Sequence, residues 1–338
     1  MDLSVMQIVR RTFPFILTRI LIYVGFAVAA FLFLGLMIGL GFLFIKMFGE
    51  TGGPFFIIII IAFLVVWGGL RFLERYVLYM VKLGHVSVVT ELLRNGNIPE
   101  GKGMVAYGKD KVTENFGASN VAFVMDAMVH AAVRQIQRWI MRVGNVFRFI
   151  PGAKNIIGII NAIMSISLNY IDEAIMSYVF LRKSEQRQET VWKSALDGVT
   201  LYAQSWKSVL KSATISVVFI YAFNIVLFLI FYFPLLVVFR LFSKNTPGLG
   251  TLLGLLALVG AYILTTVAKR ALIDPIVTII MIRSYQISIR SLEPKIDLQQ
   301  RLLGISSRFK RLFNKAREEE AAANQQPPAA HPDDPLMQ

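Results

Sequence analysis

The segment NYIDEAIMSYVFLRK, Asn169 to Lys183, sets two adjacent carboxylates, Asp172 and Glu173, among Ile, Met, Ala, Tyr, Val and Phe. An unpaired carboxylate in apolar surroundings is costly or stays protonated, so acids in such a run are either solvated or in use. On a helix of about 3.6 residues per turn, Asn161, Ser165, Asn169 and Asp172 share one narrow arc, with Glu173 at its edge and Ser177 just beyond. Amide, hydroxyl and carboxylate oxygens aligned in this way are suitable ligands for a cation or a small polar solute. The stripe fits two other roles as well. It is also what the wet side of an amphipathic helix looks like, with its acids paired to Arg134, Arg138 or Arg142, and polar contacts between helices or subunits need the same residue types. Asn224, in the middle of a later apolar run, is either a further pathway candidate or a hydrogen-bond partner for a neighbouring helix.

Enzyme chemistry finds little footing. The three histidines, His85, His130 and His331, form no HExxH motif, and neither a GxSxG elbow nor a GxxxxGK[ST] phosphate loop occurs. His130 lies four residues from both Asp126 and Arg134, which describes the polar face of a helix better than a catalytic dyad. There is no cysteine, so thiolate nucleophiles, thiolate metal sites and disulfides are excluded. No enzyme activity, cofactor or metal is expected.

Composition sets the solvent in which these residues work. The chain has 338 residues, of which 56% are hydrophobic and 17% charged, and a mean hydropathy of +0.61. A soluble domain carries roughly 45–50% apolar and about 25% charged residues, so this is the composition of a membrane protein. Its 35 Lys plus Arg against 21 Asp plus Glu give a net charge of +14. In a membrane protein that excess marks faces that meet anionic headgroups, and nucleic acid is not an expected partner.

The expected fold is an all-α polytopic membrane protein with two transmembrane helical hairpins separated by a helical, partly amphipathic region. Residues 1–93 hold the first hairpin and its extension: Leu21 to Phe44 exceeds the ~20 residues needed to cross the hydrocarbon, and Pro54 to Leu70 returns after the turn GETGG. Residues 212–293 hold the second, with one run ending at Phe239 and another from Gly248 to Val267. Residues 94–211 between them read as a short irregular polar lobe followed by two helices, Val121 to Phe147 and Ile156 to Leu181. Residues 294–315 read as a basic amphipathic helix and 316–338 as a disordered tail.

Arg10, Arg11, Arg19, Arg71, Arg75, Lys82, Lys207 and Lys211 flank the spans on one side, which puts both termini in the cytoplasm and the protein in a cytoplasmic (inner) membrane. Arg134, Arg138 and Arg142 on one helix, and Arg308, Lys310, Arg311 and Lys315 on another, accompany apolar faces and are candidates for contact with an anionic lipid surface. A faint parallel repeat matches Arg71, Glu74 and Lys82 to Arg270, Asp274 and Arg283, and the four-residue spacing of Arg270 and Asp274 permits a pair. Gly35/Gly39 and Gly250/Gly254 have the small-xxx-small spacing of close helix contacts. The leading functional expectation is a channel or transporter for a small polar or cationic solute, acting as a homo-oligomer. The alternative is a scaffold that binds anionic lipid or a protein partner through its basic helices.

Overall fold

The computed structural model describes residues 3–48, 53–116, 119–144, 153–185, 189–243 and 249–325. These are helical almost throughout, with no strand among the described residues. In chain order the helices are α1 (Val5–Arg11), α2 (Phe13–Phe48), α3 (Gly53–Asn95), α4 (Met104–Phe116), α5 (Ser119–Gly144), α6 (Ala153–Ser184), α7 (Val191–Ser243), α8 (Leu249–Ala268), a π-helical segment (Lys269–Ile273), α9 (Asp274–Ile289), α10 (Ile296–Ile305) and α11 (Ser307–Gln325).

Two very long helices organise the chain because each changes character partway along. The first half of α3 turns Ile57, Ile61, Leu64 and Val65 outward, whereas Leu83 to Leu93 is almost wholly buried. α7 runs the other way, from a buried start around Ala195 and Val199 to an outer half that exposes Ile215, Val218 and Ile225. A helix that is apolar on its outside needs an apolar solvent. Among the described residues, three helical stretches are long and apolar enough to cross a membrane, Phe13–Leu43, Val191–Leu241 and Gly250–Ile289. The apolar half of α3 lies against α2, with Phe33 stacked on Phe63 at 5.6 Å. α7 packs on α8 to form the second hairpin. The protein is therefore an all-α membrane protein with two protruding hairpins.

A bent pair, Met104–Phe116 and Val121–Ile140, meets at 82° and reaches the same length and apolarity. Its apolar faces are used otherwise. Tyr107, Val112 and Phe116 of α4 and Met125, Val129, Val133 and Ile136 of α5 are buried in the same core as α3, α6, α7 and α9, and Lys102–Asp110 and Lys111–Glu114 pair on the surface above them. This pair belongs to the helical lobe at the base of the hairpins. Within the lobe, α6 is surrounded by α3, α5, α7 and α9, and its residues from Tyr170 to Phe180 are all buried.

Several sequence expectations change here. The stretch 94–120 is less irregular than its glycines imply, because α4 forms within it. The basic helix of 294–315 is two helices broken at Ser306, an extended residue whose Oγ accepts from the Phe309 N–H and starts α11. α11 continues to Gln325, past the expected boundary of the tail at 316, because Ala316 is buried and Glu319 accepts from the Trp192 backbone N–H at 3.2 Å. Residues 326–338 lie outside the described residues. The apolar faces of both basic helices meet protein rather than lipid: Val129, Val133 and Ile136 of α5, Leu302 of α10, and Phe309 and Leu312 of α11 are core residues. Interfacial lipid binding needs such a face to be free. Gly35, Gly39 and Gly254 have no atom within 4 Å of where a side chain would stand among the described residues, so among these they mediate no close helix contact.

The glycines that do permit close approach are elsewhere. α3 and α4 cross at Gly84 and Gly108, where a Cβ on Gly108 would meet the Gly84 carbonyl oxygen at 2.7 Å and Phe15 Cζ at 2.9 Å. Backbone cannot yield as a side chain does, so Gly108→Ala should destabilise the protein by about 1–3 kcal/mol, while Gly39→Ala should be neutral or slightly stabilising. Thermal denaturation of the two variants in detergent checks this; an unchanged midpoint for Gly108→Ala would mean that the crossing is looser than described.

Candidate functional site

Asp172 and Glu173 sit on the enclosed helix α6 at 5% and 4% exposure, so they face neighbours and not water. Glu173 Oε1 lies 2.6 Å from Lys82 Nζ of α3, and its Oε2 accepts from the Thr278 hydroxyl of α9. Asp172 Oδ1 accepts the Glu173 backbone N–H at 3.0 Å. Its Oδ2 lies 3.4 Å from His130 Nδ1 of α5, and His130 Nε2 lies 3.1 Å from an Arg134 guanidinium nitrogen. A guanidinium only donates, so Nε2 carries the lone pair and the proton stands on Nδ1, toward Asp172.

The charges in this cluster are matched unevenly. Burial works against both carboxylates; Lys82 and His130 nevertheless hold Asp172 below its ordinary value, while Glu173 remains raised despite Lys82. Burial also works against the Lys82 ammonium, but Glu173, Asp172 and Asp126 outweigh it, and Lys82 binds its proton more tightly than in water. Asp126, on α5, has no ion-pair partner of its own among the described residues. Burial and then the Asp172 charge push its carboxyl up to about 8, against the pull of Lys82.

A second ionic group lies beside the first. Asp274 Oδ1 accepts from the Tyr170 hydroxyl at 2.7 Å and from Lys269 Nζ at 2.8 Å. The four-residue spacing pointed to Arg270 as the partner of Asp274; the π-helical segment changes the register so that residues five apart face each other. Pro275, which has no N–H and crowds the preceding turn, follows directly and gives that segment its physical cause. Arg270 is thereby released from the acid.

Between the two groups, at the base of both hairpins, lies a cavity of about 530 Å³ whose charged lining is Arg19, Arg75, Lys82, Glu173, Lys269, Arg270 and Asp274, with Tyr23, Tyr79 and Tyr170. Glu173 is matched by Lys82 and Asp274 by Lys269. Arg19, Arg75 and Arg270 have no carboxylate within ion-pair distance among the described residues. Arg19 is the most unusual of the three: it is 5% exposed, stands inside the apolar span Phe13–Leu43, and its Nε and Nη2 have no hydrogen-bond partner among the described residues. Buried arginine is ordinarily paired. His85 lies nearby, fully buried with neither ring nitrogen bonded among the described residues. Burial, reinforced by Arg19, holds it well below its ordinary proton affinity, so it is neutral and offers Arg19 no compensating charge.

The residues singled out in the sequence are therefore only partly brought together. Asp172 and Glu173 meet in the ionic cluster, and Glu173 reaches the cavity wall. Ser177 is buried in α6, donating to the Ala174 carbonyl at 2.7 Å and accepting from Gln286 at 3.2 Å. Asn161, Ser165 and Asn169 belong to α6, but their side chains lie outside the described part. Asn224 stands in the outer half of α7, away from the cavity lining. Arg138, Arg142, Arg308, Lys310 and Arg311 are exposed on the lobe, and Lys315 pairs with Glu318 at 2.6 Å. Sequence reasoning took Arg19, Arg75 and Lys82 as markers of orientation and missed their convergence. The available signal was Arg19 itself, a charge set within a helix that is otherwise apolar.

The raised Asp126 has a consequence for stability. Its unfolded value is about 3.9 and its folded value about 8, so folding takes up a proton between these pH values and stability falls as pH rises through that window. Asp126→Asn should raise the melting midpoint at pH 8 and flatten its decline between pH 5 and pH 8. Parallel curves for wild type and variant would show that Asp126 is ionised in the folded protein. No family model, curated protein or solved structure matches this chain, so its function has to be argued from this geometry.

Proposed function

We propose that this protein is an integral protein of a cytoplasmic membrane, with its helical lobe and both ends on the cytoplasmic side, that binds an anionic group in the cavity at the base of its hairpins. The orientation rests on the cations: Arg71, Arg75, Lys82, Lys207, Lys211, Lys269 and Arg270 all lie at the lobe end of the apolar helices. The anionic ligand rests above all on Arg19. A guanidinium at that depth, with unmatched N–H groups, is costly on its own, and an anion that accepts from it offsets the cost. Phosphate and carboxylate suit the planar fork of arginine best.

This reverses the sign of the ligand expected from the acidic stripe while keeping its solute-handling character. Asp172 and Glu173 already have protein partners within the lobe, which leaves them little attraction for a passing cation. The lining of the cavity carries five cationic side chains against two carboxylates. Its volume lies within the roughly 300–1,000 Å³ of small-molecule sites. The scaffold alternative draws less support, because the apolar faces of its basic helices are in the core.

The test is ligand-induced stabilisation at constant ionic strength. Inorganic phosphate should raise the melting midpoint of the purified wild type with the logarithm of its concentration above the dissociation constant, a stabilisation of about 2.7 kcal/mol at a hundred times that constant. Arg19→Gln should abolish that response and, without ligand, match or exceed the stability of the wild type, because a buried unpaired charge has been removed. A wild type indifferent to phosphate, pyrophosphate and small carboxylates would overturn the proposal.

A further inference from the structure

The cationic cavity has an apolar neighbour. Tyr23 also borders a second space of about 200 Å³, which runs between α2, α3 and α8 and is walled mainly by Phe26, Ala30, Trp67, Ile263 and Val267. Arg71 and Glu74, paired at 3.0 Å, stand at its mouth. From Tyr23 to Ala30 the groove follows α2 for about 10 Å at 1.5 Å per residue, into the apolar part of the span and away from Arg19. A polar, cationic chamber thus adjoins an apolar groove across Tyr23, near the N-terminal end of the span Phe13–Leu43.

We propose that the ligand of this site is an anionic phospholipid of the surrounding bilayer, with its phosphate among Arg19, Arg75 and Arg270 and one acyl chain in the groove between the hairpins. This rests on the anion-binding reading above and adds the chain. A soluble phosphate would satisfy the three arginines but leave the groove unfilled. A phospholipid satisfies both, since it carries an anionic phosphate and hydrocarbon in one molecule, and Tyr23 borders both the chamber and the groove. Entry requires no passage through the lobe, because the groove lies between helices whose outer faces already meet lipid. The ring of Trp67, with Arg71 lying 5.3 Å from its centroid, provides an amphipathic edge at the junction.

The experiment compares two probes on purified full-length protein in a maltoside detergent: glycerol 3-phosphate, which has the charge alone, and dihexanoyl phosphatidic acid, which adds short chains. The expected result is binding of the chain-bearing probe at least about tenfold tighter, since two buried methylenes alone account for that gain. Ala30→Trp, which fills the groove, should remove the advantage and leave glycerol 3-phosphate affinity unchanged. Ile263→Trp, on the opposite wall, should do the same and serves if Ala30→Trp does not fold. Arg19→Gln should weaken both probes. Equal affinities for the two probes, indifferent to either groove-filling variant, would overturn the lipid assignment and leave a soluble-anion site standing. Failure of both probes to bind the wild type would overturn the lipid and the anion together.

Discussion

Glu173 holds the lobe and the hairpins to one another. One carboxylate oxygen reaches Lys82 on α3, the helix that becomes the second leg of the first hairpin, and the other reaches Thr278 on α9, the continuation of the second hairpin. α6, which carries Glu173, is enclosed by four helices. An acid placed there must be matched on arrival, and removing one partner from a buried pair leaves a charge that typically costs about 3–5 kcal/mol. Hydrophobic burial makes the lobe compact, but it does not fix which turn of α3 lies beside which turn of α9. The ionic contacts do so, because they are satisfied in a single register.

The same need for matching explains what is left over. Two lysines of the basal ring are taken by acids, and the π-helical segment decides which residue of the neighbouring pair Lys269 and Arg270 is used. Had the helix stayed regular, residues four apart would have faced each other and Asp274 would have met Arg270. The inserted register instead gives the flexible ammonium to the acid and leaves a guanidinium on the cavity wall. Pro275, often read as a hinge, acts here through the turn before it.

Much of the architecture was legible in the sequence, and for clear reasons. Runs such as Leu21 to Phe44 have one stable environment, and periodic apolar residues in α5 and α6 mark helices whatever they pack against. What could not be read was the partner of each face. Val129, Val133 and Ile136 look the same whether they meet lipid or the protein core, because amphipathicity records that a face is buried and not what covers it. The acids posed a similar problem: Asp172 and Glu173 were visible as anomalies, but Lys82 lies far away in the chain, and only the fold brings it to Glu173. Arg19 was hidden differently. It falls close enough to the N-terminal end of its span to pass for an orientation signal, and its burial depends on the packing of α2 against α3 and the π-helical segment, neither of which is local.

α3 and α7 each run without a break from the protruding hairpin into the core of the lobe. They share no linker with which the two regions could move apart, so each outer leg and the part of the lobe core that continues it are one helix. For α3 that continuity has a chemical side, because the helix that forms the outer leg also carries Arg75 and Lys82 into the cavity wall, so those two cations cannot shift independently of the leg.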